Sequence, residues 1–298
     1  MEKLNSNKNL LLIGANGFIG SRLKKFLPDN LNVFNVSFSK PSNNELQYQI
    51  DCRNLHEFNK LPTNEFQYVI NLGGYIDHAT GFNGGIKIFE NHTQILINVL
   101  KYIDRNKVIS FINVGSSDEY GDHHEKIKPS TPPNPISCYS LSKTTSYNLL
   151  KLLHQEDGFP FNFIRLFLTY GPRQNPPRLV PYVIQKCIND EEFTISSSNF
   201  YRDFCYIDDV CEGITAALYH TSYDNIFHIA SGIKTNLKDL VQVIQKSIGK
   251  GKPKYEQSNL GVQSLIASIE STQDILEWSP KVPLIEGIQK TISFQIRK

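Results

Sequence analysis

Residues 10–20 read L-L-L-I-G-A-N-G-F-I-G, and the fold turns on how this stretch is read. Leu10, Leu11, Leu12 and Ile13 form a short unbroken apolar run, as in a strand buried on both faces. Gly14, Gly17 and Gly20 follow at three-residue spacing. Such a strand feeds a helix through a glycine turn. Gly14 allows the tight turn, Gly17 lets backbone approach a pyrophosphate, and Gly20 lets a helix starting near Phe18 pack close to the sheet. That helix presents unpaired N–H groups and the positive end of its dipole to phosphates. Three glycines alone also suit an ordinary turn, so the rest of the chain has to decide.

Composition narrows the classes. A chain of 298 residues is long enough for a substantial core, either one large α/β unit or a core with a smaller lobe. With 31 Lys+Arg against 29 Asp+Glu the net charge is +2, and no basic run tracks a nucleic-acid backbone, so nucleic acid is not expected as a partner. The polar start, M-E-K-L-N-S-N-K-N, and the lack of a bilayer-length apolar segment predict a cytoplasmic protein with no membrane partner. Cys52, Cys138, Cys187, Cys205 and Cys211 form no C-x-x-C pair, so reduced thiols are expected and no metal site.

In chain order, short apolar runs alternate with amphipathic stretches, the pattern of a doubly wound parallel sheet. A helix to about Leu27 leads to a second strand over residues 32–37. A dinucleotide enzyme selecting NAD usually places Asp or Glu at that strand's end, whereas Ser37, Phe38, Ser39 and Lys40 stand here. NADP(H) is therefore expected, with NAD(H) the alternative. A third strand covers residues 46–50 and precedes Asp51, which also suits a helix cap. A fourth, residues 68–72, ends in Gly73 and Gly74, where side chains must be absent if backbone lies against a cofactor. A glycine-rich loop, 81–85, then precedes a helix over 86–103.

The fifth strand, 108–114, delivers G-S-S-D-E-Y-G (115–121) at its carboxyl end, where ligands bind in open α/β sheets. Further on comes Y-S-L-S-K, with Tyr139 and Lys143 four positions apart on one face of a helix over 137–154. An ammonium near a phenol favours the phenolate, and a phenol is otherwise a poor acid or base at neutral pH. Ser116 suits a hydrogen bond to the same substrate oxygen that Tyr139 protonates. Tyrosine and lysine at this spacing are common, but the glycine turn and the strand-end serine point to catalysis.

On these motifs the chain resembles an extended short-chain dehydrogenase/reductase of the NAD(P)-dependent nucleotide-sugar epimerase/dehydratase group, nearly end to end. The glycine spacing is similar to that family's G-x-x-G-x-x-G, and N-L-G-G (71–74) to its cofactor-lining segment. The resemblance implies a Rossmann-like α/β fold with a dinucleotide-binding domain over 1–170. Residues 204–232 would return to it, and 171–298 would form mainly a smaller α/β C-terminal substrate lobe. Ser116, Tyr139 and Lys143 match the family's catalytic residues. Cofactor contacts would come from Gly14, Asn16, Gly17, Phe18, Ile19, Gly20, Ser37, Ser39, Lys40, Asp51, Cys52, Leu72, Gly73, Gly74, Tyr139 and Lys143.

Residues 115–121 and 230–232 are similar to segments of GDP-4-keto-6-deoxymannose reductases, and 178–210 to the CDP-abequose-synthase type of reductase. The function implied is NADPH-dependent reduction of a nucleotide-diphospho-4-keto-6-deoxysugar, GDP- or CDP-linked. Substrate contacts would come from Ser116, Ser117, Asp118, Tyr139, Arg178, Leu179 and Arg202, the last on the diphosphate, which a planar guanidinium suits. A sixth strand is read over 161–168, and its last residue, Leu168, departs from the Asn of many relatives. Asp208 and Asp209 are read as caps of a helix over 210–219, and the only Trp, Trp278, as packing. A 4-epimerase or 4,6-dehydratase with tightly bound NAD uses the same triad and stays open, Asp118 supplying one dehydratase carboxylate while Ser117 replaces the other. A non-catalytic dinucleotide-binding regulator would not need the Tyr/Lys pair. Surplus apolar residues on the helices over 86–103 and 137–154 predict a homodimer.

Overall fold

The computed structural model describes residues 8–39, 46–75, 79, 81–123, 125–195, 199–256 and 262–297. A seven-stranded parallel sheet forms its centre. Its strands are β1 (Lys8–Ile13), β2 (Leu31–Ser37), β3 (Gln47–Gln49), β4 (Tyr68–Asn71), β5 (Ser110–Ser116), β6 (Phe161–Leu166) and an edge strand, Asn225–Ile229. Across the sheet the order is edge strand, β6, β5, β4, β1, β2, β3. The expected doubly wound α/β fold is thus present, and the order reverses between β1 and β4, where such sheets bind ligands. Ile13 is in register with both Val36 and Asn71, and Asn71 with Asn113, so β1, β2 and β4 end within a residue of one level and β5 runs on beyond it. Leu10, Leu11 and Leu12 have no exposed surface, which accounts for the unbroken apolar run.

Three helices complete the site-bearing part: α1 (Phe18–Leu23), α2 (Gly81–Tyr102) and α3 (Cys138–Asp157). Ser137 caps α3 in a reciprocal box with Ser140, and Gly158 ends it in a left-handed turn at φ 67°. One core cluster includes Leu11, Phe34, Val69, Leu96, Val99, Phe111, Leu150 and Phe161.

Several boundaries differ from the sequence reading. α1 stops at Leu23 because the Lys25 and Phe26 N–H groups reach back only three residues, to the Arg22 and Leu23 carbonyls, tightening the chain into a turn. Residues 81–85 are the first turns of α2, not a loop. A Cβ on Gly85 would lie 2.8 Å from Cys138 Sγ, so this glycine brings α2 close to α3. β5 runs on to Ser116. β6 stops at Leu166, and Leu168–Tyr170 instead pairs with Phe204–Tyr206 in a separate two-stranded sheet, its Leu168 N–H donating to the Asp203 carbonyl at 3.0 Å.

Two further helices are α4 (Leu179–Ile188) and α5 (Ile207–Tyr219). Asp208 and Asp209 therefore lie inside the first turn of α5 and do not precede it. The buried Asp209 carboxylate accepts the Lys281 and Val282 N–H groups, both at 3.0 Å, and the Asp209 carbonyl accepts the Trp278 indole N–H at 3.1 Å. Asp209 fastens the later chain to α5.

The chain divides into two compact units. The first comprises Met1–Glu119, Pro133–Arg165 and Ile214–Phe227; the second comprises Tyr120–Pro132, Leu166–Gly213 and His228–Lys298. Of residues 204–232, then, only 214–227 belong to the first. The second has its own core, including Tyr120, Ile127, Phe167, Leu265 and Ile269. Buried Asp203 knots it together, accepting the Ser231 N–H and O–H at 2.7 and 2.6 Å, the Gly232 N–H at 2.9 Å and the Ala267 N–H at 3.2 Å. No helix among the described residues is long and apolar enough to cross a membrane.

Candidate active site

The glycine turn lies where β1 meets α1. Gly14 adopts φ 80°, and both its N–H and that of Ala15 donate to the Val36 carbonyl, at 2.9 and 3.0 Å. A Cβ on Gly20 would fall 2.3 Å from the Gly14 oxygen, so only glycine allows α1 to start this close to the strand end. Gly17, the N-cap of α1, is exposed, and a Cβ there would meet only the Gly14 oxygen, at 3.1 Å. Phe18 and Ile19 open the helix, half-buried. A backbone cradle bare of side chains fits a dinucleotide pyrophosphate.

Beside it, Asn16 Nδ2 donates to Ser37 Oγ at 2.8 Å and to Ser39 Oγ at 3.4 Å, joining the turn to the end of β2. Lys40 lies outside the described residues. Asp51 is held in a fork by Arg53, whose Nε and Nη2 donate at 2.8 and 2.7 Å and keep the carboxyl below its usual range. The Cys52 side chain belongs to the core cluster, and burial pushes its thiol up to about 12, so a cofactor contact through that sulfur is not available. After β4 the Leu72 N–H donates to the Ile13 carbonyl at 3.1 Å, and the Gly73 N–H to Asn71 Oδ1 at 3.0 Å. Asn71 Nδ2 in turn donates to Asn113 Oδ1 at 2.8 Å, tying this segment to β5. Gly74 takes φ 126°.

The structure anchors Lys143, one helical turn from Tyr139, at the end of β5, two residues before Ser116. Lys143 Nζ donates to the Val114 carbonyl at 3.0 Å and stands 5.9 Å from the centre of the buried Tyr139 ring. Burial pulls the Lys143 ammonium down to about 8, with Glu119 opposing. Ser116 Oγ accepts the Asp118 N–H at 3.2 Å, and the Ser116 N–H donates to Glu119 Oε1 at 2.9 Å. Glu119 Oε2 takes the Arg165 Nε and Nη2 at 3.1 and 2.9 Å, both residues being fully buried. Burial raises the Glu119 carboxyl, and Arg165 and the Ser116 N–H pull it back. This pair, which the sequence reading missed, fixes the turn carrying Ser116, Ser117 and Asp118. Gly115 makes room for it: a Cβ there would sit 2.3 Å from Glu119 Oε1.

The other expected substrate residues belong to the second unit. Arg178 is the N-cap of α4 and gives it no side-chain cap, while Leu179 is its first residue. Arg202 donates to the Tyr201 and Val262 carbonyls at 2.8 and 2.7 Å and to the Gln263 carbonyl at 3.3 Å. It does not pair with Asp203, whose carboxylate is spent on Ser231, Gly232 and Ala267.

His92 was also missed, since one histidine inside an amphipathic helix makes no motif. It is 4 % exposed, its ring 5.5 Å from that of Tyr139 at 81°.

Against known proteins, residues 10–230 match the family model described as NAD dependent epimerase/dehydratase family. A UDP-glucuronate 4-epimerase of Thermodesulfobacterium geofontis is 27% identical, with 95% of each chain covered. Among solved structures, the UDP-glucose 4-epimerase of Thermotoga maritima with UDP-glucose superposes at a TM-score of 0.88, 24% identical, covering 97% of this chain and 99% of that one. The UDP-glucuronic acid 4-epimerase of Bacillus cereus, in complex with UDP-glucuronic acid and NAD, gives 0.87 at 23% identity, covering 97% and 99%. With the family model spanning the glycine turn, the strand-end serine and the Tyr/Lys helix, the chain belongs to the NAD-dependent epimerase/dehydratase family of nucleotide-sugar enzymes.

Proposed function

We propose that the protein is a nucleotide-sugar 4-epimerase that keeps NAD bound through its cycle and acts on a UDP-linked sugar. The carrying observation is how the turn after β5 uses its two carboxylates. A 4,6-dehydratase needs an acid and a base beside the leaving hydroxyl. Here Glu119 is buried against Arg165 and the Ser116 N–H, and Ser117 offers a hydroxyl where some dehydratases have a carboxylate, which leaves Asp118 as one carboxylate for two tasks. Ser116, Tyr139 and Lys143 by themselves suit removal of hydrogen at C4 and its return. Full-length likeness to a UDP-glucuronate 4-epimerase supports the same choice over a dedicated ketoreductase.

In this reading Tyr139 takes the proton of the sugar C4 hydroxyl and gives it back, and the Ser116 hydroxyl donates to the C4 oxygen. Lys143 favours the phenolate and holds ribose hydroxyls. When bound, the nicotinamide supplies the hydride exchange at C4. Gly14, Gly17 and Gly20 hold the pyrophosphate, Leu72, Gly73 and Gly74 line the cofactor, and Arg178, Leu179 and Arg202 are proposed for the substrate.

A second reading, NADPH-dependent reduction of a GDP- or CDP-linked 4-keto-6-deoxysugar, is favoured by one observation. The end of β2 offers the Ser37 and Ser39 hydroxyls, bridged by Asn16, and no carboxylate among the described residues there. We also infer that two copies associate through α2 and α3, which expose Ile86, Leu141 and Leu152.

The protein is incubated with UDP-sugars and NAD, and separately with nucleotide 4-ketosugars and NADPH. Epimerisation without net change in reduced nicotinamide bears out the first reading, whereas NADPH consumed mole for mole with ketosugar replaces it with the second. Tyr139→Phe should lower turnover by about 10²–10⁴-fold with cofactor affinity kept. A variant near wild-type rate removes Tyr139 from the mechanism.

A further inference from the structure

A single ring in α2 stands between two segments of the site. His92 Nε2 accepts the Tyr75 N–H at 3.2 Å, so that nitrogen carries no proton and the ring proton is on Nδ1. Nδ1 faces Ser142 Oγ at 3.3 Å. The Ser142 hydroxyl hydrogen is already donated to the Tyr139 carbonyl, at 2.6 Å, so its oxygen accepts from His92. A continuous relay results, from the Tyr75 N–H through the imidazole and Ser142 to the backbone of the proposed proton-transfer residue. The ring also meets Tyr75 and Tyr139 edge-on, at 5.3 and 5.5 Å, both at 81°. On its other side a Cβ at Gly74 would lie 3.1 Å from His92 Cε1, so the ring limits how far residue 74 can fall back.

We propose that His92 is a positioning residue: its neutral imidazole sets the separation between residues 73–75 and the turn of α3 that carries Tyr139. This rests on reading residues 73 and 74 as cofactor lining and Tyr139 as the proton carrier. An imidazole is a rigid plate with an acceptor at one end and a donor at the other, and this site uses both. An imidazolium would aim a second N–H at the Tyr75 N–H. Burial and the Lys143 charge pull the His92 pKa down to about 3, which keeps the ring neutral.

Asparagine reproduces the Nδ1 end of histidine and glutamine the Nε2 end, so the two contacts separate. NADH affinity is read by fluorescence titration, and kcat is read at saturating cofactor, for wild type, His92→Gln, His92→Asn and His92→Leu. His92→Gln keeps the Tyr75 contact: NADH affinity should stay within about threefold while kcat falls about tenfold. His92→Asn keeps the Ser142 contact: NADH affinity should fall about tenfold while kcat stays within about threefold. His92→Leu should lose both. Equal behaviour of the Gln and Asn variants, or wild-type values for Leu, overturns the proposal. Should wild type turn over no nucleotide sugar, the functional reading fails, while the NADH affinities of the Gln and Asn variants still decide the role of His92.

Discussion

Lys143 combines a buried position with a charge the proposed reaction uses, and that has a measurable consequence. Its folded pKa is lowered to about 8 from 10.5, chiefly by burial. Between those values the unfolded chain holds a proton that the folded chain does not, so raising the pH favours the folded state across that window. Wild type should therefore gain stability relative to Lys143→Met as pH rises from about 8 to 10.5, with a constant difference on either side. Urea midpoints of both proteins across that range check it, and a flat difference throughout would contradict the burial of the ammonium. The placing of Ser116 at a strand end and of Tyr139 and Lys143 one turn apart on a helix could be read from the sequence, because the proposed chemistry demands those types at that spacing. Glu119, Arg165 and His92 could not. Each is a single polar residue in an apolar setting, and its partner lies 46 residues away for Glu119 and 50 for the His92–Ser142 contact. The inward turn of the Cys52 side chain was hidden for the opposite reason: it stands next to a polar Asp51.

At the scale of elements, the glycine turn makes the sharpest demand. In Gly20→Ala the new methyl would overlap backbone at 2.3 Å, with no flexible side chain to yield. Overpacking of this kind costs about 1–3 kcal/mol, against about 1 kcal/mol gained in helix propensity. The expected result is a net loss of stability together with loss of NADH binding. Gly17→Ala makes the contrast, since its methyl meets only one oxygen, at 3.1 Å: binding should fall with little change in unfolding midpoint. Equal stability and affinity of Gly20→Ala and wild type would refute the close approach. The same residue type misled at 81–85, where glycines suggested a loop and instead form a helix packed against Cys138. Glycine marks both turns and close packing, and only tertiary contact separates them. The break at Phe167 was equally hidden, because an apolar run does not say which sheet receives its hydrogen bonds.

For the whole molecule, the proposed dimer needs an apolar surface the fold leaves uncovered. Much of the expected surplus is used internally: Ile88, Leu96, Val99 and Leu150 are buried, and Ile95, Leu100, Tyr147, Leu149 and Leu153 pack on the core. A second stripe is left. Phe82, Ile86, Phe89 and Ile97 follow helical spacing on α2, next to the buried face of Ile88, His92 and Leu96, and Phe82 is 84% and Ile86 39% exposed. On α3, Leu141 and Leu152 lie eleven residues apart on one face, 44% and 52% exposed. Lys87, Glu90, Gln94 and Lys101 keep a third face of α2 polar, so the helix separates core, apolar and solvated faces. Such a stripe suits a self-complementary, isologous contact with a second copy. Light scattering at micromolar concentration should give about twice 34.0 kDa, and Ile86→Glu with Leu152→Glu should return it to one chain. Since α3 carries Tyr139 and Lys143, the separated form should also lose turnover while retaining its fold by circular dichroism. A wild-type mass of 34.0 kDa with full activity would remove both the interface and its support of the catalytic helix.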